Sequence, residues 1–226
     1  MSDALSLLRL LQCSDSAFPS GAFAFSSGLE TLVNEGRVQG ADDMARLLEA
    51  QVIPRWLEFD RPFLRRAFHA EGPEALLDID TTCHLQNTVE RLATASRRIG
   101  RSLLTVHARV GTPGAEAYRN HLRAAALPHA TGYEPVVQGM IGAGLRLSLA
   151  QAEAGALNTV VTGMTSAAVR LGRLGALDAQ SVLAGIAAAM AEGLAGTAPA
   201  QPGAFAPLIE IAAQRRMAGQ ISLFAT

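Results

Sequence analysis

The chain has 226 residues, a formal net charge of -1, and 49% hydrophobic against 17% charged residues. That balance argues against disorder over most of its length, and basic residues spread along the chain leave no electrostatic footprint for nucleic acid. All 19 basic residues are arginine, so no lysine is available as a Schiff-base nucleophile or a phosphate-loop cation, which removes whole enzyme classes.

The first segment carries Leu5, Leu8 and Leu11, with Leu7 and Leu10 beside them, at helical spacing. An acid precedes this apolar stretch and a basic n-region is missing, so it does not read as a signal peptide. A loop follows from Ser14 through Pro19-Ser20-Gly21. Ser27-Gly28-Leu29-Glu30 fits a capping box opening the next helix, which Gly36 should end. Asp42 and Asp43 suit the first turn of a helix through Leu47 and Leu48, which Pro54 and Pro62 should kink or divide before it ends near Gly72-Pro73.

Leu85, Val89, Leu92, Ser96, Ile99, Leu103, Val106 and Val110 alternate steps of four and three, predicting one continuous seam on a long helix stopped by Thr112-Pro113-Gly114. Past Leu127-Pro128 three more helices are expected at roughly 134–150, 153–171 and 178–194. They are crowded with glycine and alanine. An interior glycine costs up to ~1 kcal/mol against alanine, tolerable where neighbours hold the helix, so all three are placed inside the bundle. Residues 197–203 read as a loop, and Pro207 suits the first turn of a last helix reaching about Ala218. No segment alternates with period two, and the expected fold is all-α: a single-domain helical bundle of about eight to ten helices over residues 1–226, with a flexible tail at 217–226.

Chemistry is sparse. Cys13 and Cys83 form no CxxC motif, and His69, His84, His107, His121 and His129 form no HxxxH or HExxH pair, so no metal cage is expected. There is no GxSxG elbow and no GxxxxGK[ST] loop. The most apolar stretch, Gly155 to Val169, is too short to span a bilayer, and the protein is expected to be cytoplasmic. Two features remain: the block from Asp15 to Glu30, and the arginines Arg97, Arg98 and Arg101.

The block DSAFPSGAFAFSSGLE (Asp15 to Glu30) resembles the opening signature of the UreF family of urease accessory proteins. ERLATASRRIGRSLL (Glu90 to Leu104), HATGYEPVVQGMIGAGLRL (His129 to Leu147) and SAAVRLGRLGALDAQSVL (Ser166 to Leu183) resemble its later blocks in order and spacing. Phe25 stands where many members have histidine. Near the end, Arg216-Met217 occupies the place of a His-Glu pair, and Ser222 replaces an arginine. The resemblance implies an all-helical, non-catalytic protein that dimerises. It implies binding to a UreD/UreH-type scaffold and a UreG-type GTPase, and support of nickel insertion into apo-urease. No cofactor is expected, since nickel would be handled by the complex. Candidate partner-binding residues are Glu30, Arg98 and Arg101, together with Ile221, Leu223 and Phe224 of the tail. A helical enzyme with a pocket built from residues distant in sequence, or a direct nickel metallochaperone, are the alternative readings.

Overall fold

The computed structural model describes residues 3–15, 17–22, 25–125, 132–203 and 205–215. Among them every regular element is helical. The helices are α1 (Asp3–Ser14), α2 (Leu29–Asn34), α3 (Ala41–Leu47), α4 (Ile53–Arg55), α5 (Arg61–Phe68), α6 (Gly72–Gln86), α7 (Glu90–Arg109), α8 (Ala115–Ala125), α9 (Glu134–Gly144), α10 (Leu149–Arg170), α11 (Ala176–Ala195) and α12 (Pro207–Gln214). None of the described helices is long and apolar enough to cross a membrane.

The stretch from α3 to α5 shows what its prolines do. Each proline lacks an N–H, so a carbonyl one turn earlier must find another donor. The chain answers by winding wide at Leu48–Val52 and Trp56–Asp60, where the Ile53 N–H reaches the Leu48 carbonyl and the Arg61 N–H reaches that of Trp56. Such π-type turns keep the rod unbroken, and it ends at Phe68, short of the expected Gly72.

Two large apolar clusters make up most of the core, with a small third one of Val89, Leu92 and Ala213. Of the large pair, one gathers α2, α3, α10, α11 and α12 around Leu32, Leu48, Leu157 and Val161. The other gathers α5 to α9 around Phe63, Leu104, Tyr118, Tyr133 and Val137. Helix α9 is the hub. A Cβ on Gly139 would stand 2.3 Å from the Leu64 carbonyl oxygen, and one on Gly142 would stand 2.7 Å from the Ala152 Cβ. Neighbouring helices therefore touch α9 at its own backbone, which explains why this helix is glycine-rich.

Several sequence expectations need correction. The long seam is interrupted: α6 ends at Gln86, and Asn87 and Val89 take extended conformations before α7 begins. Leu85 is 73% exposed and Val110 62%, so only Leu92, Ile99 and Leu103 of that series are buried, with Val89 at the break. Helix α9 stops at Gly144, where Arg146 with φ 56 turns the chain into α10. Helix α11 is peripheral, burying only Ala179, Val182 and Ile186, because its small residues face outward as well as inward. Helix α8 was not anticipated, although Ala115 and Tyr118 give it an inward face. Helix α1 turns Ser6 inward, 8% exposed, and leaves Leu5, Leu7, Leu8 and Leu11 largely outside. The last helix ends at Gln214 with Arg215 extended, and residues 216–218 of its expected reach lie outside the described residues.

Candidate functional site

The opening block does not cap a helix as expected. Gly28 is the N-cap of α2, at φ 87, and no side chain caps that terminus; Ser27 sits at φ 47, inside a tight turn. The reason is packing. A Cβ on Gly28 would lie 2.8 Å from the Ala213 nitrogen and 2.9 Å from the Ile209 oxygen, so the loop is pressed directly onto α12. Glu30 is half-buried in the first turn of α2 rather than bonded back to Ser27.

Upstream, the same loop lies along α7. The Ser102 hydroxyl donates to the Pro19 carbonyl at 2.8 Å, Phe18 packs on His107 with ring centroids 5.2 Å apart, and the Arg98 guanidinium sits 5.9 Å over the Phe25 ring. Residues 17–22 and 25–28 thus strap α7 to α12. The two features singled out in the sequence meet on one face: Arg98 and Arg101 are both exposed on α7 beside this strap, and neither is an internal tie of the bundle. Glu30 belongs to the α2 end of the strap. Ile221, Leu223 and Phe224 lie outside the described residues, as do Arg216, Met217 and Ser222.

Arg97 differs from its neighbours. It donates to Glu90 at 2.6 Å, to the Thr94 hydroxyl at 2.8 Å and to the buried Tyr133 hydroxyl at 2.9 Å, which also meets His84 Nδ1 at 2.8 Å. Its hydrogen bonds hold the Glu90 carboxyl below the usual carboxylate range. Beneath this cluster the fully buried Asp80 accepts the N–H groups of Gly132 and Tyr133 at 2.9 and 2.6 Å. A buried carboxylate filling two orphan amides at a helix entrance is a structural device. It pins the start of α9 against α6.

Beneath the strap lies a partly open pocket of about 110 Å³, lined by Arg55, Asp60, Ser96, Glu134 and Gln138 among others. Burial raises the Asp60 pKa, opposed by the Arg55 guanidinium at 2.8 Å. Glu134 keeps some exposure as a residue, yet loss of water around its carboxyl pushes its pKa up to about 8, with the Asp60 charge adding and Arg55 and Gln138 opposing. A smaller cavity of about 60 Å³ shares Glu134 and Gln138 and adds Cys13 and His107, whose Sγ and Nε2 lie 3.9 Å apart. Burial raises the Cys13 thiol to about 11 and lowers His107 to about 4, so both are neutral at physiological pH. A neutral thiol beside a neutral imidazole is not an activated nucleophile. Among the described residues no group of three or more histidine, cysteine, aspartate or glutamate side chains is placed to hold a metal ion.

Surface and interior therefore differ in kind. The pocket groups are withdrawn from water in part or in whole, whereas Arg98, Arg101 and Arg109 of α7 present charge to the outside beside an uncharged strap. Comparisons with known proteins point the same way as the four sequence blocks. A family model described as UreF matches residues 38–187. A protein of Paenarthrobacter aurescens (strain TC1) named urease accessory protein UreF is 35% identical over 178 residues, covering 78% of this chain and 77% of the relative. One of Trichodesmium erythraeum (strain IMS101) with the same name is 30% identical over 191 residues, covering 80% and 79%. One of Cereibacter sphaeroides (strain KD131 / KCTC 12085) is 30% identical over 223 residues, covering 97% and 98%. With the family model spanning more than half of the chain and relatives aligned over nearly all of it, this chain belongs to the UreF family.

Proposed function

We propose that this chain is a non-catalytic adaptor of urease maturation, which binds a UreD/UreH-type scaffold and a UreG-type GTPase so that nickel reaches apo-urease. The observation that carries this reading is the family membership itself, with relatives named as urease accessory proteins aligned over 78% to 97% of the chain. The chemistry of the fold supports it: the candidate thiol and imidazole are both neutral, and Arg98 and Arg101 face outward.

In this reading the chain works as one domain in the cytoplasm, as a homodimer within the complex, and nickel is cargo with no resident cofactor. Arg98 and Arg101 are proposed partner contacts, as are Glu30 at the α2 end of the strap and the tail residues Ile221, Leu223 and Phe224. The test is co-purification. A tagged chain expressed with its neighbouring scaffold protein and GTPase is expected to retain both on the column in a stoichiometric complex. Recovery of the tagged chain alone at micromolar concentrations of all three would overturn the reading.

A further inference from the structure

We propose that the outer face of α7 is an electrostatic docking surface for a protein partner that presents a row of carboxylates. The proposal rests on the adaptor reading above and supplies the chemistry of one of its contacts. Helix α7 carries five arginines and a single carboxylate, Glu90, and that carboxylate is taken up by Arg97. At 3.6 residues per turn the other four, Arg91, Arg98, Arg101 and Arg109, fall within an arc of about 80° and along about 27 Å of helix. Arg98, Arg101 and Arg109 are exposed and Arg91 is half-buried.

Several arginines elsewhere in the bundle are paired with carboxylates. Arg55 faces Asp60, Arg61 and Arg65 share Glu153, and Arg119 faces Glu116. Among the described residues no carboxylate oxygen stands within 4 Å of Arg91, Arg98, Arg101 or Arg109. Four like charges in a row repel one another, and the fold leaves that repulsion uncompensated.

A second observation is independent of charge. The strap at residues 17–22 and 25–28 is fixed against this same helix by the bond from Ser102 to the Pro19 carbonyl, and it sets the Phe25 ring under Arg98. A guanidinium seated on an aromatic face loses less freedom on binding than one on a free stem. Arginine forks suit carboxylates, which they grip with two parallel hydrogen bonds. The matching surface is a helix with aspartate or glutamate at spacings of three and four. Duplex DNA is a poorer match, because four arginines along one helix give only a few phosphate contacts and the chain as a whole carries a formal charge of -1.

The test measures association rates with the scaffold protein and the GTPase, each purified, at ionic strengths from low to physiological. The probe is the full chain and its variant R98Q/R101Q/R109Q, compared at equal helical circular dichroism. For the acidic partner the variant is expected to associate about tenfold more slowly at low salt, with a flattened salt dependence, and to dissociate faster as the fork contacts are lost. The variant R98K/R101K/R109K retains the charges and is expected to stay within about threefold of the wild-type association rate. A glutamine variant that associates at the wild-type rate overturns the docking face while leaving the adaptor reading intact. So does a lysine variant as slow as the glutamine one, or binding of duplex DNA as tight as binding of the protein partner. Wild-type chain that binds neither protein removes the adaptor reading and this proposal together.

Discussion

Arg61 of α5 and Glu153 of α10 form a two-point ion pair, with Nε to Oε1 at 3.1 Å and Nη2 to Oε2 at 3.2 Å, and each side chain is only 5% exposed. The rest of the Arg61 fork donates to the carbonyls of Gly193, Leu194 and Gly196 at the end of α11, at 3.2, 2.7 and 3.0 Å. One guanidinium therefore joins α5, α10 and the carboxyl end of α11, where cationic side chains are favoured. Glu153→Gln removes the countercharge and leaves Arg61 buried. The expected loss is about 3–5 kcal/mol in urea denaturation. A loss below about 1 kcal/mol would show that solvent reaches the pair.

The glycines of α9 and α10 should respond oppositely to the same substitution. Gly139→Ala forces a methyl to within 2.3 Å of the Leu64 oxygen, so α5 and α9 must separate. Overpacking of this kind costs about 1–3 kcal/mol, read as a lower thermal midpoint. A Cβ on Gly163 meets nothing within 4 Å, in the interior of α10. Gly163→Ala should stabilise by about 0.5–1 kcal/mol. Equal effects at the two sites would contradict the packing described for α9.

These residues also show where the sequence was legible. The crowding of glycine in the 134–144 stretch pointed to close helix contacts, and the contacts are there. The same argument failed for α11, because alanine is equally at home on an exposed helix face and spacing does not reveal which face is covered. The break between α6 and α7 carries no glycine or proline at Asn87-Thr88-Val89, so a four-three periodicity ran through it unmarked. The Arg61–Glu153 pair spans 92 positions, and no local pattern connects such partners. At the candidate site, the block from Asp15 to Glu30 and the α7 arginines were both visible. That one lies against the other was not, since it depends on Gly28 seating the chain against α12.

Glu134 predicts a pH dependence. Its folded-state pKa is raised to about 8 from an ordinary 4.5, so the folded protein holds a proton that the unfolded chain releases between those values. The associated stability is fully present below about pH 4.5, is lost as pH rises toward about 8, and changes no further above that. Thermal midpoints should therefore fall across that window. Glu134→Gln keeps a neutral polar group in place and should flatten the fall. If the variant and wild type trace parallel curves from pH 5 to 8, the carboxyl is ionised in the fold and the assignment is wrong.

The tail gives a fourth prediction. Truncation after Arg216 removes Ile221, Leu223 and Phe224, three large apolar groups, each worth roughly 1.5–3 kcal/mol if buried in a partner groove. The expected outcome is an unchanged melting temperature together with loss of scaffold-protein binding. A truncated chain that captures the scaffold with full affinity removes these residues from the interface, and a clear drop in melting temperature shows that they complete their own domain.

The central claim, that this chain supports nickel loading without doing chemistry itself, is tested most directly by the metal content of its client. Urease subunits, scaffold protein and GTPase are co-expressed in nickel-supplemented cells, with and without this chain, and nickel per urease active site is measured by atomic emission on the purified enzyme. The account predicts nickel-loaded, active urease when the chain is present and largely metal-free urease when it is omitted. Equal nickel content in the two preparations would contradict it.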